Sequence, residues 1–292
     1  MIKPNSLGIY MFIRNGVYYD YPFLESLRSA YPIADQIVIA ECYSDKDDTY
    51  DQLQKFITEE DPQKKITVLR HDWVTHFSQL SAVGNWCIPH LQTQWHWQLQ
   101  ADEVIHEGSY PAIRELLQGA PAQMRRDAMG TDAYSVNYTH FLANYETEFD
   151  FCYLKAIRIA KKGSGWWLHG DACQLDRPNK SGVENTPIQV FHYGKVHEGK
   201  AGWQKEWDFQ QLFKDIGFPD PKMMEMKEKL GEEYCDYVYL FESSIKEGKV
   251  RRFHGSHPAV MRDRIAKFQA GGWEQFVSKM KDGLNLDGGI RK

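Results

Sequence analysis

The sequence predicts an α/β fold with a Rossmann-like, mostly parallel central sheet flanked by helices. Short apolar, β-branched runs recur at residues 7–13, 36–40 and 66–69. Between them lie two stretches whose apolar residues fall at helical spacing. Strand, helix, strand, helix, strand in immediate succession is the pattern of parallel strands joined by crossover helices.

Each element has its own signal. Residues 7–13 end in the polar turn Arg14-Asn15-Gly16, as a buried strand does. Residues 21–30 set Phe23, Leu24 and Leu27 on one helical face, and Pro32 closes the helix. The run 36–40 leads into the polar stretch 41–49. Residues 50–59 follow as a helix with Leu53, Phe56 and Ile57 on one face and Asp47 or Asp48 as its N-cap. A helix is expected over 80–95, then a strand over 97–100 running straight into Ala101-Asp102-Glu103. Residues 133–142, 154–160 and 166–169 read as further strands, and 190–194 as a short one. From Trp203 the pattern turns helical and charged, including 221–230 and 233–246, and the Gly-rich stretch after Leu284 reads as frayed. These patterns divide the chain into a core over residues 1–200 and a mainly helical C-terminal lobe over 201–292.

Composition narrows the function classes. The 292 residues can bury a sizeable core, and 42% hydrophobic with 26% charged content is ordinary for a globular chain. A net charge of −5 supplies no global basic field for nucleic acid. A local basic groove stays open through Lys161-Lys162 and Arg251-Arg252. No apolar run approaches the roughly 18 to 20 residues of a membrane span, and residues 1–10 read as a first strand rather than a signal peptide. The five cysteines include no CxxC pair, which argues for reduced thiols in a cytoplasmic protein. HExxH, GxGxxG after the first strand, GxxxxGK[ST] and GxSxG are all absent, so zinc proteases, dinucleotide and P-loop folds and serine hydrolases lack their marks.

Three constellations suit chemistry. Ligands of open parallel sheets bind at the carboxyl ends of strands near a topological switch. The polar loops at Arg14, at 41–48 and at Asp102 therefore converge on one edge. Asp102-Glu103 either hold a divalent cation, Mn2+ or Mg2+, through oxygen ligands or form a solvated turn. The loop from Glu41 to Thr49 suits nucleoside binding or helix capping, and both roles can hold at once. His192, after a strand, fits either a second metal ligand or a hydrogen-bonded histidine.

These segments resemble family 2 glycosyltransferases with the GT-A fold, patchily from residue 7 to about residue 262. Ile9-Tyr-Met-Phe-Ile-Arg-Asn15 is similar to the family's first strand and its Arg-Asn turn. Gln36-Ile-Val-Ile-Ala-Glu-Cys-Tyr-Ser-Asp-Lys-Asp-Asp-Thr49 resembles the strand and loop in which an Asp, here Glu41, reads the nucleotide base. Trp97-Gln-Leu-Gln-Ala-Asp-Glu-Val-Ile105 resembles the segment with the Asp-x-Asp metal motif. Its first Asp is replaced by Gln100, whose amide oxygen ligates without bringing charge. Tyr138-Thr-His-Phe141, Ala156-Ile-Arg-Ile159, Gly170-Asp171-Ala172, Phe191-His-Tyr-Gly194 and Gly255-Ser-His-Pro258 recur in a bacterial and phage subgroup assigned to the same activity.

The resemblance implies transfer of a sugar from a nucleotide-diphosphate sugar, usually a UDP-sugar, to an acceptor hydroxyl, with inversion and with a divalent cation. It implies metal ligation by Asp102 and His192 and base catalysis by Asp171. Donor binding would fall to Arg14, Glu41, Asp45, Asn85, Gln100, Ala101 and Arg158, the last contacting phosphate or forming an ion pair. The acceptor would be a carbohydrate or a modified nucleic acid, such as the hydroxymethylated DNA base of phage-type enzymes. A nucleotide-sugar hydrolase and a non-catalytic sugar-nucleotide-binding module are the alternatives.

Overall fold

Side-chain alternation along the first strands decides how the layers form. In strand β1 (Lys3–Ile13), Leu7, Ile9, Met11 and Ile13 face one apolar cluster, while Tyr10 faces another. Strand β2 (Gln36–Glu41) repeats the division, with Ile37 and Ile39 on one side and Val38 and Ala40 on the other. A period of two sends successive residues to opposite faces, so a strand buried on both faces needs apolar residues at every position. Helices α1 (Phe23–Ala30) and α2 (Thr49–Glu60) cover the first face with Phe23, Leu27, Leu53 and Phe56. Helix α3 (Gln79–Cys87) covers the second with Leu80, Val83 and Cys87. The computed structural model describes residues 2–73, 76, 78–117, 119–150, 153–212, 245 and 247–284.

Among the described residues the central sheet has ten strands and is mixed. Strands β3 (Ile66–Arg70), β2, β1 and β4 (Thr93–Gln98) lie side by side and all parallel. Chain order reverses between β1 and β4, which opens a crevice at their carboxyl ends. Beyond β4 the sheet continues through β8 (Lys155–Lys161), antiparallel, to β6 (Ala133–Leu142) and β7 (Thr147–Phe149). Strand β5 (Glu103–Ile105) attaches through β11 (Val183–Lys195), which also pairs in parallel with β6. Helices α4 (Tyr110–Leu117) and α5 (Gly119–Met129) lead into β6, and β9 (Trp167–Leu168) and β10 (Leu175–Asp176) form a separate two-stranded ribbon.

After residue 200 the described chain contributes helices α6 (Ala201–Leu212), α7 (Arg262–Lys267) and α8 (Trp273–Leu284). It also adds strand β12 (Val250–Arg252), antiparallel to β7. The helices expected over 221–230 and 233–246 lie outside the described residues, apart from Ile245, as does the stretch after Leu284.

Three expected elements are corrected. The helix expected over 80–95 stops at Cys87 and gives way to a single 3-10 turn, Ile88–His90. Pro89 has no N–H to continue the ladder, and Thr93–Gln98 becomes β4 instead, with Trp95 and Trp97 fully buried. The strand expected over 97–100 ends at Gln98, and the chain turns before β5. The short strand expected over 190–194 is the end of a 13-residue β11, in which Pro187 falls at the register shift between Asn185 and Gln189.

Burial leaves several histidines uncharged in the folded protein. It pushes His96 and His140 down to about 3 and His257 to about 4, with His197 also held well below its usual range. Unfolded histidine titrates near 6.5, so between these values the unfolded chain binds protons that the folded core refuses. Stability from these groups is therefore complete above pH 6.5 and declines as the pH falls toward the folded values. Urea midpoints should drop steadily between about pH 6.5 and pH 5, above the range of ordinary carboxylates. A flat profile across that window would contradict the buried, neutral state of these rings.

Candidate functional site

The site is built on the turn that joins β4 to β5. The Glu103 N–H donates to the Gln100 carbonyl at 3.0 Å, and the Gln100 N–H donates to Glu103 Oε2 at 2.9 Å. Glu103 thereby points inward and meets Arg158 Nη2 at 2.6 Å, with neither side chain exposed. The Tyr138 hydroxyl donates to the same Glu103 carboxylate at 2.9 Å. Arg158 also binds Gln98 Oε1 and, at 3.3 Å, the Ala172 carbonyl. Arg158 is thus not a phosphate ligand on the cleft wall, as one sequence reading has it. It is an interior ion-pair partner, fully buried and outside the lining of the two cavities described below.

With Glu103 facing in, Asp102 faces out. Strand β11 pairs His192 with Glu103 and donates the Tyr193 N–H to the Asp102 carbonyl at 2.8 Å, so the imidazole comes to rest beside the Asp102 carboxylate. His192 Nε2 lies 3.7 Å from Asp102 Oδ2. A chain of bonds sets which of its nitrogens faces Asp102. His140 Nε2–H donates to the Tyr153 carbonyl at 2.7 Å, which leaves His140 Nδ1 to accept from His192 Nδ1–H at 2.9 Å. His192 Nε2 is then the nitrogen that faces Asp102.

Gly194 keeps the space between the two groups open, since a Cβ there would lie 2.6 Å from both Asp102 Oδ2 and His192 Nε2. Lys205, from α6, places its Nζ 3.3 Å from Asp102 Oδ2 and 2.6 Å from the Gly194 carbonyl. Burial raises the Asp102 pKa, but Lys205 and His192 outweigh it and hold the carboxyl well below its usual range. Among the described residues no group of three His, Cys, Asp or Glu side chains is arranged to hold a metal. A cation here would rest on Asp102 and His192, completed by ligand or water oxygens.

The second expected loop is preformed by its own bonds. Arg14 donates to the Cys42 and Tyr43 carbonyls at 2.5 and 2.7 Å and pairs with Asp45 at 2.7 Å. Asn15, at a left-handed φ of 53°, accepts the Asp45 N–H at 2.9 Å. Glu41 is fully buried and accepts from the N–H groups of Ser44 and Tyr43 at 2.7 and 3.2 Å and from Arg70 Nε at 3.1 Å. Arg70 in turn lies between the rings of Tyr43 and Tyr50, 4.2 and 4.3 Å from their centres. Asp47 accepts the Thr49 N–H at 2.9 Å, while Asp48 occupies the N-cap position without a side-chain bond to the helix backbone and instead accepts from Gln52 Nε2 at 3.2 Å.

Two adjoining cavities open on these elements. One, of about 280 Å³, is lined by Arg14, Asn15, Tyr19, Asp45, Lys46 and Trp73. The other, of about 310 Å³, is lined by Gln100, Ala101, Asp102, Asp171, His192 and Gly194. Phe12, Tyr21, Leu80, Lys205 and Phe209 line both. A roomier groove of about 800 Å³ around Arg28, Tyr145 and Arg264 contains none of the expected residues. Asp171 is exposed beside the second cavity, and its Oδ1 accepts the Cys173 N–H at 3.2 Å. Asn85, expected to bind donor, instead exchanges two hydrogen bonds with the backbone of Leu168, at 2.9 and 2.8 Å, and ties α3 to β9. Sequence reasoning missed Lys205, Lys46, Trp73 and His140. His140 and Lys46 stood in quoted segments without being singled out, whereas Lys205 comes from a charged helix with no local mark of its partner.

Neither a protein-family model nor a curated protein sequence matches the chain. Among solved structures, the chain is similar to S. aureus TarS 1–349 in complex with UDP-GlcNAc, with a TM-score of 0.42 and 11% identity over 83% of this chain and 74% of that one. It is also similar to M. tuberculosis glucosyl-3-phosphoglycerate synthase in complex with Mn2+, UDP-glucose and phosphoglyceric acid, with a TM-score of 0.40 and 11% identity over 74% of this chain and 82% of that one. A mycobacterial protein aligns with a TM-score of 0.43 and 12% identity over 74% and 76% of the two chains.

Replacing Arg158 by Met should leave Glu103 as a buried, uncompensated charge. Breaking such a pair from one side costs about 3–5 kcal/mol. Chemical denaturation of Arg158→Met would register that loss, and a change below about 1 kcal/mol would mean that Glu103 reaches water.

Proposed function

We propose that this chain is a GT-A-type glycosyltransferase, of family 2 kind, that moves a sugar from a UDP-sugar to an acceptor hydroxyl with inversion. One observation carries the reading. Asp102 Oδ2 and His192 Nε2 face each other across the side-chain-free Gly194, beside the switch point of a parallel sheet and within a cavity that adjoins a second one. The set fits a divalent cation, Mn2+ or Mg2+: one carboxylate, one oriented imidazole nitrogen, and space for diphosphate and water oxygens. When bound, the cation would supply positive charge against the departing diphosphate.

The chain's own residues do the rest. The first cavity suits the nucleoside, with the Trp73 and Tyr19 rings for stacking and Asn15 and Asp45 for polar contacts. Gln100 and Ala101 border the sugar and phosphate end, and Gln100 Nε2 donates to the Ala172 carbonyl at 3.3 Å. Asp171, at the rim of the second cavity, is the base that takes the acceptor's proton. Glu41 and Arg14 act by shaping the base-reading loop, since the carboxylate of Glu41 is already enclosed by that loop and Arg70.

A carbohydrate acceptor is favoured over a modified nucleic acid. Arg251 pairs with Glu148 and Asp150, and Arg252 with Glu146 and Glu274, which offsets the positive charge this face presents to a phosphate backbone. Lys162 is bound to the Leu91 carbonyl. No helix among the described residues is long and apolar enough to cross a membrane.

Release of UDP from a panel of UDP-sugars, with Mn2+ and with and without candidate acceptors, tests the reading. Cleavage accelerated by an acceptor supports transfer, rapid cleavage without one supports a hydrolase, and binding without turnover supports a module. Asp102→Asn should lower turnover by at least about 100-fold while leaving the fold intact. Unchanged turnover in that variant removes Asp102 from the mechanism. Asp171→Asn should bind UDP as the wild type does but lose transfer by about 10²- to 10⁴-fold. If it retains most of its rate, the base lies elsewhere.

A further inference from the structure

Helix α6 carries a cation to the junction of the two cavities. Lys205 Nζ rests on Asp102 Oδ2 at 3.3 Å and on the Gly194 carbonyl at 2.6 Å, and it stands 4.7 Å from the centre of the Tyr21 ring. Lys205, Tyr21, Phe12, Leu80 and Phe209 line both cavities. A ligand that occupies both must therefore pass the ammonium with its middle portion. In a nucleoside diphosphate sugar, that middle portion is the diphosphate.

Charge at the turn agrees with this placement. Asp102 is the turn's cavity-lining carboxylate, and the Lys205 ammonium stands beside it. Three residues further along α6, Asp208 accepts from Lys46 Nζ at 2.5 Å and from the Tyr19 hydroxyl at 2.7 Å. That anchor fixes the helix to the rim of the first cavity by contacts that do not involve Lys205. Lys205 can then change acceptor by rotating its own side chain, with the helix held in place.

We propose that Lys205 is a diphosphate-binding residue: phosphate oxygens of a nucleoside diphosphate spanning the two cavities replace Asp102 Oδ2 and the Gly194 carbonyl as acceptors of its ammonium. The assignment rests on the nucleotide-sugar reading of the site. It gives the diphosphate a cation supplied by the chain itself, beside the position that Asp102 and His192 offer to a metal. Released by the ammonium, the Asp102 carboxylate is then available to that metal, so diphosphate and divalent cation favour each other's binding.

The test is calorimetric titration of UDP and of uridine into wild type, Lys205→Gln and Lys205→Arg, each in EDTA and in Mn2+. The Gln variant keeps a donor for Asp102 and the Gly194 carbonyl while losing the charge, and thermal melting checks its fold. Wild type should retain measurable UDP affinity in EDTA. Lys205→Gln should weaken UDP by about 10- to 100-fold in both conditions, the range of a lost charged hydrogen bond, and leave uridine unchanged. Lys205→Arg should stay within severalfold of wild type. Unchanged or tighter UDP and Mn2+ binding by Lys205→Gln would overturn the assignment, because Lys205 would then be only a stand-in for the metal. Equal losses for uridine and UDP would also overturn it, by making the residue a structural tie. If wild type binds neither UDP nor uridine in either condition, the nucleotide-sugar reading itself fails, an outcome distinct from loss confined to the variant.

Discussion

Beneath the site, Glu103 and Arg158 form an ion pair from which water is excluded, and the arrangement above depends on it. Two charges in a low-dielectric interior cost least when their remaining hydrogen-bonding capacity is filled. Here parts of the site's own scaffold fill most of it, with Arg158 Nε left without a partner. The Gln100 N–H and the Tyr138 hydroxyl complete Glu103, while Gln98 and the Ala172 carbonyl share Arg158. Such a pair adds little net stability compared with a well-packed apolar core. It does select one conformation of the 100–103 turn, because any other leaves a buried carboxylate without partners. Glu103 facing inward is what presents its neighbour Asp102 to the cavity.

From that turn, order passes into the rest of the site through backbone pairing. The register His192↔Glu103 sets the imidazole beside Asp102, and the bond from His140 selects which ring nitrogen faces it. His140 is itself buried and anchored to the Tyr153 carbonyl. Two adjacent strands, β6 and β11, thus contribute a supporting and a presenting histidine. Oriented groups of this kind need no rearrangement when charge arrives, which is the condition for effective electrostatic stabilisation.

The opposite wall is organised by the same logic, with a loop in place of strands. Residues 42–48 belong to no strand or helix, so side chains of Arg14, Asn15, Glu41 and Asp47 satisfy much of their backbone. The loop is a fixed surface whose outward groups are free to differ from the groups that hold it. Helix α6 bridges the two walls, with Lys205 on Asp102 and Asp208 on Lys46. Both cavities therefore share a lining contributed by a segment far along the chain.

The sequence by itself determined the parallel half of the fold. In β1, β2 and β3 and their two crossover helices, the signal is local: apolar period, polar turn and helix cap lie within a few residues of each other. It also determined that the polar loops at Arg14, Glu41 and Asp102 share an edge, because parallel strands put their carboxyl ends together. Asp102, His192, Gln100, Ala101 and Asp171 do line one cavity. Tertiary structure alone decided which polar residues face in. Arg158 and Asn85 read as ligand-facing in sequence, yet their partners Glu103 and Leu168 lie 55 and 83 residues away. The end of the expected 80–95 helix and the full length of β11 were settled by sheet partners, whose hydrogen bonds outweigh local pattern. Lys205 reaches Asp102 across 103 residues of chain, and no periodicity records a contact between segments so far apart.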